Sequence, residues 1–156
     1  MATTEVATLA VRGAELEVAL GEVDAVLAAV PDGAYRERLG QLREELTGEG
    51  ICPESIAELD RLIELALQSG RLRAVYGPGG EAAATRLYRR LPSGRGLAAS
   101  AREVSDALRS LSGQQLDDVS LTVNGPGAFS LGLTVGGREI TVRLDRQGVR
   151  LHSVGV

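Results

Sequence analysis

Between Asp117 and Val156 apolar and polar residues alternate one for one across three turn sequences, and a chain with this pattern ends in a four-stranded antiparallel meander. Val119, Leu121 and Val123 alternate with Ser120 and Thr122. Phe129, Leu131, Leu133 and Val135 alternate with Ser130, Gly132 and Thr134, and Ile140, Val142 and Leu144 with Thr141 and Arg143. A period of two sends one set to a buried face and the other to water. Gly136-Gly137 suits a two-residue hairpin turn, where glycine tolerates positive φ. That turn pairs Val135 with Arg138, and therefore Leu133 with Ile140, Leu131 with Val142 and Phe129 with Leu144. A turn at Arg146-Gln147 sets Leu144 against Val149 and Val142 against Leu151, and the Asn124-Gly125-Pro126-Gly127 loop sets Val123 against Phe129. Three independent turns thus agree on which face is buried. Beyond Leu151 the phase slips, because Val154 and Val156 fall on the other parity, so either a bulge near His152-Ser153 or a strand end covered on both sides is expected.

The same register opposes Arg143 and Arg150 on the polar face, with His152 opposite Thr141. Like charges opposed across strands repel. Either Asp145, diagonal on that face, relieves the conflict together with solvent, or the two arginines receive an anion or an acidic partner surface.

Upstream the periodicity is helical. From Thr4 to Val30 two seven-residue series, Leu9, Leu16, Val23, Val30 and Val6, Gly13, Leu20, Leu27, form one stripe of the kind that makes a coiled coil. A hairpin of Thr4 to Val11 and Glu15 to Leu20 also fits, and Gly13 and Gly21 weaken a helix by about 1 kcal/mol each. The length of the seam favours helix. Pro31-Asp32-Gly33 interrupts it, and Ala34 to Thr47 begins again with Tyr35, Leu39, Leu42 and Leu46 on one side, which predicts an antiparallel helical hairpin. A third helix is expected from Glu54 to Ser69, started by Pro53 and stopped by Gly70; its many leucines imply contact on more than one side. Arg71 to Tyr76 is ambiguous between strand and helix. Glu81 to Leu91 reads as a narrow helix, Pro92 to Gly96 as a mobile loop, and Leu97 to Ser112 as a clean amphipathic helix with Leu97, Ala101, Val104, Leu108 and Leu111 available to cover the sheet. The expected fold class is α+β: a helical segment over residues 1–70, then an α+β domain over 71–156 whose two helices pack on the meander.

Composition narrows the chemistry. All 17 basic residues are arginine, as in a high-GC bacterial coding sequence, so Schiff-base and Walker-type lysine chemistry is excluded. Cys52 and His152 are the only residues of their kinds, too few for a thiolate cluster or a metal site. Cys52, just ahead of a helix start, reads as a small buried thiol beside Pro53 rather than a nucleophile, since it needs a base that His152 has no reason to supply. One phenylalanine, three tyrosines and no tryptophan leave little with which to stack a base. The Gly77-Pro78-Gly79-Gly80-Glu81-Ala82 stretch loosely resembles a phosphate-binding turn, but Pro78 lacks the amide hydrogen and Glu81 occupies the anion's place. No cofactor is expected. The start of the chain lacks a basic targeting segment and no apolar run spans a bilayer, so a cytoplasmic protein is expected.

The formal charge of −4 hides a split. Residues 1–64 carry a net −9, residues 65–102 a net +6 and the remainder −1. Such a split predicts docking of acidic on basic segments, within or between chains. The expected function is that of a non-catalytic accessory or scaffold subunit that binds a protein partner, or itself as a homodimer or larger complex. Its contact would run through Leu9, Leu16, Leu20, Val23 and Leu27. The alternative is an anion or nucleic-acid binder using Arg86, Arg89, Arg90 and Arg95, with Arg143 and Arg150.

Overall fold

Glycine at Gly136 and Gly137, with φ of 56° and 77°, closes the hairpin that fixes the sheet. In the computed structural model, which describes residues 9–155, the order is α1 (Ala14–Ala29), α2 (Ala34–Thr47), α3 (Pro53–Ser69), α4 (Leu72–Arg90), α5 (Pro92–Arg109), β1 (Leu116–Gly125), β2 (Ala128–Val135), β3 (Arg138–Asp145) and β4 (Gly148–Gly155). This is the α+β class, with strands in sequential antiparallel order β1-β2-β3-β4. The turn-derived pairings hold throughout: Val123 with Phe129, Leu133 with Ile140, Leu131 with Val142, Val142 with Leu151. The phase slip is a bulge, which pairs Thr141 with Ser153 and leaves His152 the extra residue rather than Thr141's partner. Val156 lies outside the described residues.

The chain forms two compact units that divide between Gly94 and Arg95. This lies well beyond the 70/71 boundary read from the sequence, because α4 packs on α1 and α3. In the helical unit Ala19 and Val23 of α1, Leu39, Leu42 and Leu46 of α2, Leu59 and Ile63 of α3, and Leu87 with Leu91 share one fully buried cluster. A second cluster joins Val18 to Ala66, Leu72, Ala83 and Ala84. Buried residues on two sides of α3 match its breadth of leucine. Arg36 Nη1 donates to the carbonyls of Leu27 (2.6 Å) and Val30 (2.8 Å), satisfying acceptors that the end of α1 leaves free.

Three segments differ from the sequence reading. Helix α1 begins at Ala14: Gly13 has φ 57°, residues 9–13 are not helical, and Leu9 is bridged to Ile51, whose N–H donates to the Leu9 carbonyl at 3.3 Å. Of the proposed repeat, Val6 lies outside the described residues, as does most of the alternative first strand. Arg71 to Tyr76 is helical, and α4 continues past a kink at Gly77, where φ is 71° and ψ −177°. The Pro92-to-Gly96 stretch is not a loop but the opening of α5. Gly94 is there for closeness rather than mobility, since a Cβ on it would stand 2.0 Å from the Tyr88 carbonyl oxygen.

Candidate functional site

Apolar side chains tile one face of the sheet: Val119, Leu121 and Val123 on β1 continue across Leu133, Leu131 and Phe129 on β2 to β3 and β4. A helix is about 10 Å wide and four strands span nearly twice that, so one helix cannot cover them all. Helix α5 lays Val104 and Leu108, and the turn after it Leu111, over the β3–β4 side, with Leu131, Val149 and Leu151 packed alongside. The consequence shows within a single cross-strand row. Val142 is 2% exposed, whereas Leu121, two strands away through Leu131, is 66% exposed. Val119 and Val123 are exposed by 51% and 68%, and Phe129 and Leu144 border the same strip. The expectation of a fully buried apolar face is therefore corrected: β1 is exposed along almost its whole length.

The hydrogen-bonding direction along β1 follows from the hairpin. The pair flanking a two-residue turn, Val135 and Arg138, exchanges both backbone bonds, and bonded and non-bonded pairs then alternate. Odd-numbered residues of β2 therefore bond to β3 and even-numbered ones to β1. On β1 the groups of Ser120 and Thr122 face β2, while the N–H and C=O of Val119, Leu121 and Val123 point outward from the open edge. Apolar side chains and free backbone groups thus belong to the same three residues.

The residues singled out from sequence lie elsewhere. Val23 is fully buried, and Leu9, Leu16, Leu20 and Leu27 are half-buried against the helical unit's own core. The stripe of α1 packs against α2, α3 and α4, with part of its surface left accessible. Part of the charge split meets within the chain. Arg86 and Arg90 both reach Glu15, at 3.9 Å and 2.6 Å, and Arg71 pairs with the buried Glu22. Arg89 and Arg95 are exposed. Arg143 and Arg150 do stand opposite one another, and Asp145 relieves them, its Oδ2 lying 2.7 Å from Arg150 Nη2 and 3.5 Å from Arg143 Nε. The Gln147 backbone N–H and then Arg150 hold the Asp145 carboxyl below its ordinary range. One carboxylate serves both guanidiniums, which stay 44% and 49% exposed.

Two buried carboxylates escaped the sequence reading. Glu22 keeps one oxygen on Arg71 and the other without a partner, beside Tyr76, whose phenol is pushed up by burial and by that carboxylate. It borders an open groove of about 460 Å³ between α1 and α3, walled by Val26, Leu62 and Leu65 and ending at Ser69 and Arg71. Asp60 is also buried, with Oδ2 turned to Ser93. A negative residue at an apolar helical position was the available signal for both. Cys52 Sγ donates to Ser55 Oγ at 3.3 Å and is only half-buried, and His152 is exposed. Among the described residues no three of His, Cys, Asp and Glu gather around one point, and no helix is long and apolar enough to cross a membrane.

Compared with known proteins, the chain matches no family model, no curated protein and no solved structure.

Proposed function

We propose that this chain is a non-catalytic accessory or scaffold subunit of the cytoplasm that works by protein–protein contact through the open half of its sheet. The observation that carries this reading is the coincidence on β1 of a continuous apolar strip, Val119, Leu121 and Val123, with an unpaired strand edge. Scattered apolar residues are ordinary on a protein surface, but a contiguous strip beside an open edge is what partner chains bind. Affinity capture from the cells that make the protein, with the Val119→Ser/Leu121→Ser/Val123→Ser variant in parallel, tests the reading. Bound protein is expected with the natural chain and lost with the variant; equal recovery by both would remove the sheet from the function.

A further inference from the structure

Resting on that reading, we infer that the strand edge receives a second copy of this chain, with β1 pairing antiparallel to β1 about a two-fold axis at Leu121 to form one continuous eight-stranded sheet. Three observations select this occupant.

The first is register. About an axis at Leu121, that residue faces its own copy, and Val119 faces Val123. These are the residues whose N–H and C=O groups point outward, so each pair exchanges two backbone bonds, about six in all. Ser120 then opposes Thr122. Every apolar side chain meets an apolar one on one face and every hydroxyl a hydroxyl on the other, so the strand is complementary to itself without a slip.

The second is charge. Asp117 and Asp118 sit together at one end of β1, which carries no basic residue. Parallel pairing in register would stack them on their copies. The antiparallel arrangement separates them by the length of the strand, setting the aspartate end of each copy beside the uncharged Asn124-Gly125 end of the other. Asp117 is in addition engaged within its own chain, Oδ2 accepting from the Gly136 N–H at 2.7 Å.

The third is the contrast between the two edges. β4, the other outer strand, carries Arg150 and His152 and has its register shift midway along, devices that discourage edge pairing, whereas the two register shifts of β1 lie at its ends, at Leu116/Asp118 and Val123/Gly125. From Val119 to Val123, β1 has no charge, no proline and no bulge. One edge is guarded and the other is fit for its own copy.

Sedimentation equilibrium of the purified full chain tests the inference, and a species of twice the 16.3 kDa chain mass is expected. Leu121→Pro removes an outward N–H while leaving the bonds to β2, and Leu121→Lys places two ammonium groups face to face on the axis. Each is expected to weaken association at least about tenfold. Val154→Lys, an exposed apolar position on β4, should leave the dimer intact. Circular dichroism establishes that each variant is folded; if Leu121→Pro is not, Leu121→Lys at its exposed site carries the comparison. Amide exchange gives an independent readout, since the Val119, Leu121 and Val123 amides should slow as concentration rises. A chain that stays monomeric through the millimolar range, or Leu121 variants that dimerise as tightly as the natural chain, would overturn the inference. A monomer whose capture of a partner is still abolished by the triple serine variant would overturn only the second copy and leave the proposed function standing.

Discussion

Asp60 on α3 accepts two hydrogen bonds from Ser93 through one oxygen, from the backbone N–H at 3.0 Å and from Oγ at 2.8 Å. Ser93 is the second residue of α5, so a buried carboxylate from another helix satisfies an amide that a helix start leaves free. Its negative charge also faces the positive end of the α5 dipole. Pro92, with no N–H to satisfy, occupies the first position.

Asp60→Ala deletes both bonds and leaves the Ser93 N–H buried, so it should cost about 2 kcal/mol in urea denaturation. Asp60→Asn keeps an acceptor and should cost about half as much. If Ala and Asn were equal and small, α5 would not depend on this contact for its start.

Glu22 and Arg71 form a pair of unequal burial. The Glu22 side chain is 4% exposed and that of Arg71 45%. Removing the arginine strands a carboxylate that already has one oxygen without a partner, whereas removing the carboxylate frees a cation that solvent can reach. Arg71→Ala should therefore destabilise by about 1–3 kcal/mol, discounted for the exposure of the guanidinium, and Glu22→Gln by less. The order of the two chemical midpoints checks this.

Glu45 sets an acid dependence. Burial alone would raise its pKa, but the Cys52 backbone N–H, 2.8 Å from Oε2, and Gln41 Nε2, 2.8 Å from Oε1, outweigh burial and hold it below its ordinary value. A depressed carboxylate stabilises the fold above its unfolded pKa of about 4.3, and that contribution is lost as pH falls through the lower folded value. Thermal melts of the natural chain and Glu45→Gln should differ at neutral pH and converge below about pH 4. A constant gap across that range would place the effect in packing rather than charge.

Turn residues and parity made the sheet legible before any coordinates. Gly136-Gly137 admits one pairing, and a period of two carries that pairing across four strands. Periodicity names the residues that share a face but not what lies over it. Leu121 and Val142 stand in one cross-strand row and look alike in sequence, yet only the second lies under α5. The α1 stripe has the same ambiguity, since a seven-residue repeat marks an apolar face equally well whether helices of its own chain or another chain pack on it. Gly94 misled because the composition of Pro92 to Gly96 reads as flexible, while here the missing side chain allows close approach to Tyr88.

That difference in cover gives a prediction of its own. Val142→Ala removes methyls from a site in contact with Val104 and Ile140 and should cost about 2 kcal/mol. Leu121→Ala removes more carbon from an exposed position and should cost within about 0.5 kcal/mol, measured at concentrations where the chain is monomeric. Equal costs would mean that something covers β1 in the isolated chain.

Gly79 and Gly80 are adjacent in α4, yet alanine should act on them in opposite directions. At both, alanine favours the helix by about 1 kcal/mol through a smaller loss of backbone entropy on folding. A Cβ at Gly79 meets nothing within 4 Å, so Gly79→Ala should stabilise by about 0.5–1 kcal/mol. A Cβ at Gly80 would stand 2.1 Å from Tyr76 Cβ and 3.6 Å from Val18 Cγ2. Tyr76 Cβ is fixed to the backbone just before the Gly77 kink and cannot rotate aside. The tyrosine is also confined at its far end, where a Cβ on Gly21 would stand 2.3 Å from the phenol oxygen. Overpacking of this kind costs about 1–3 kcal/mol, which exceeds the propensity gain, so Gly80→Ala should be destabilising on balance. Paired melts of the two alanine variants check the sign, and stabilisation by both would mean that Tyr76 is not held between Gly21 and Gly80 as described.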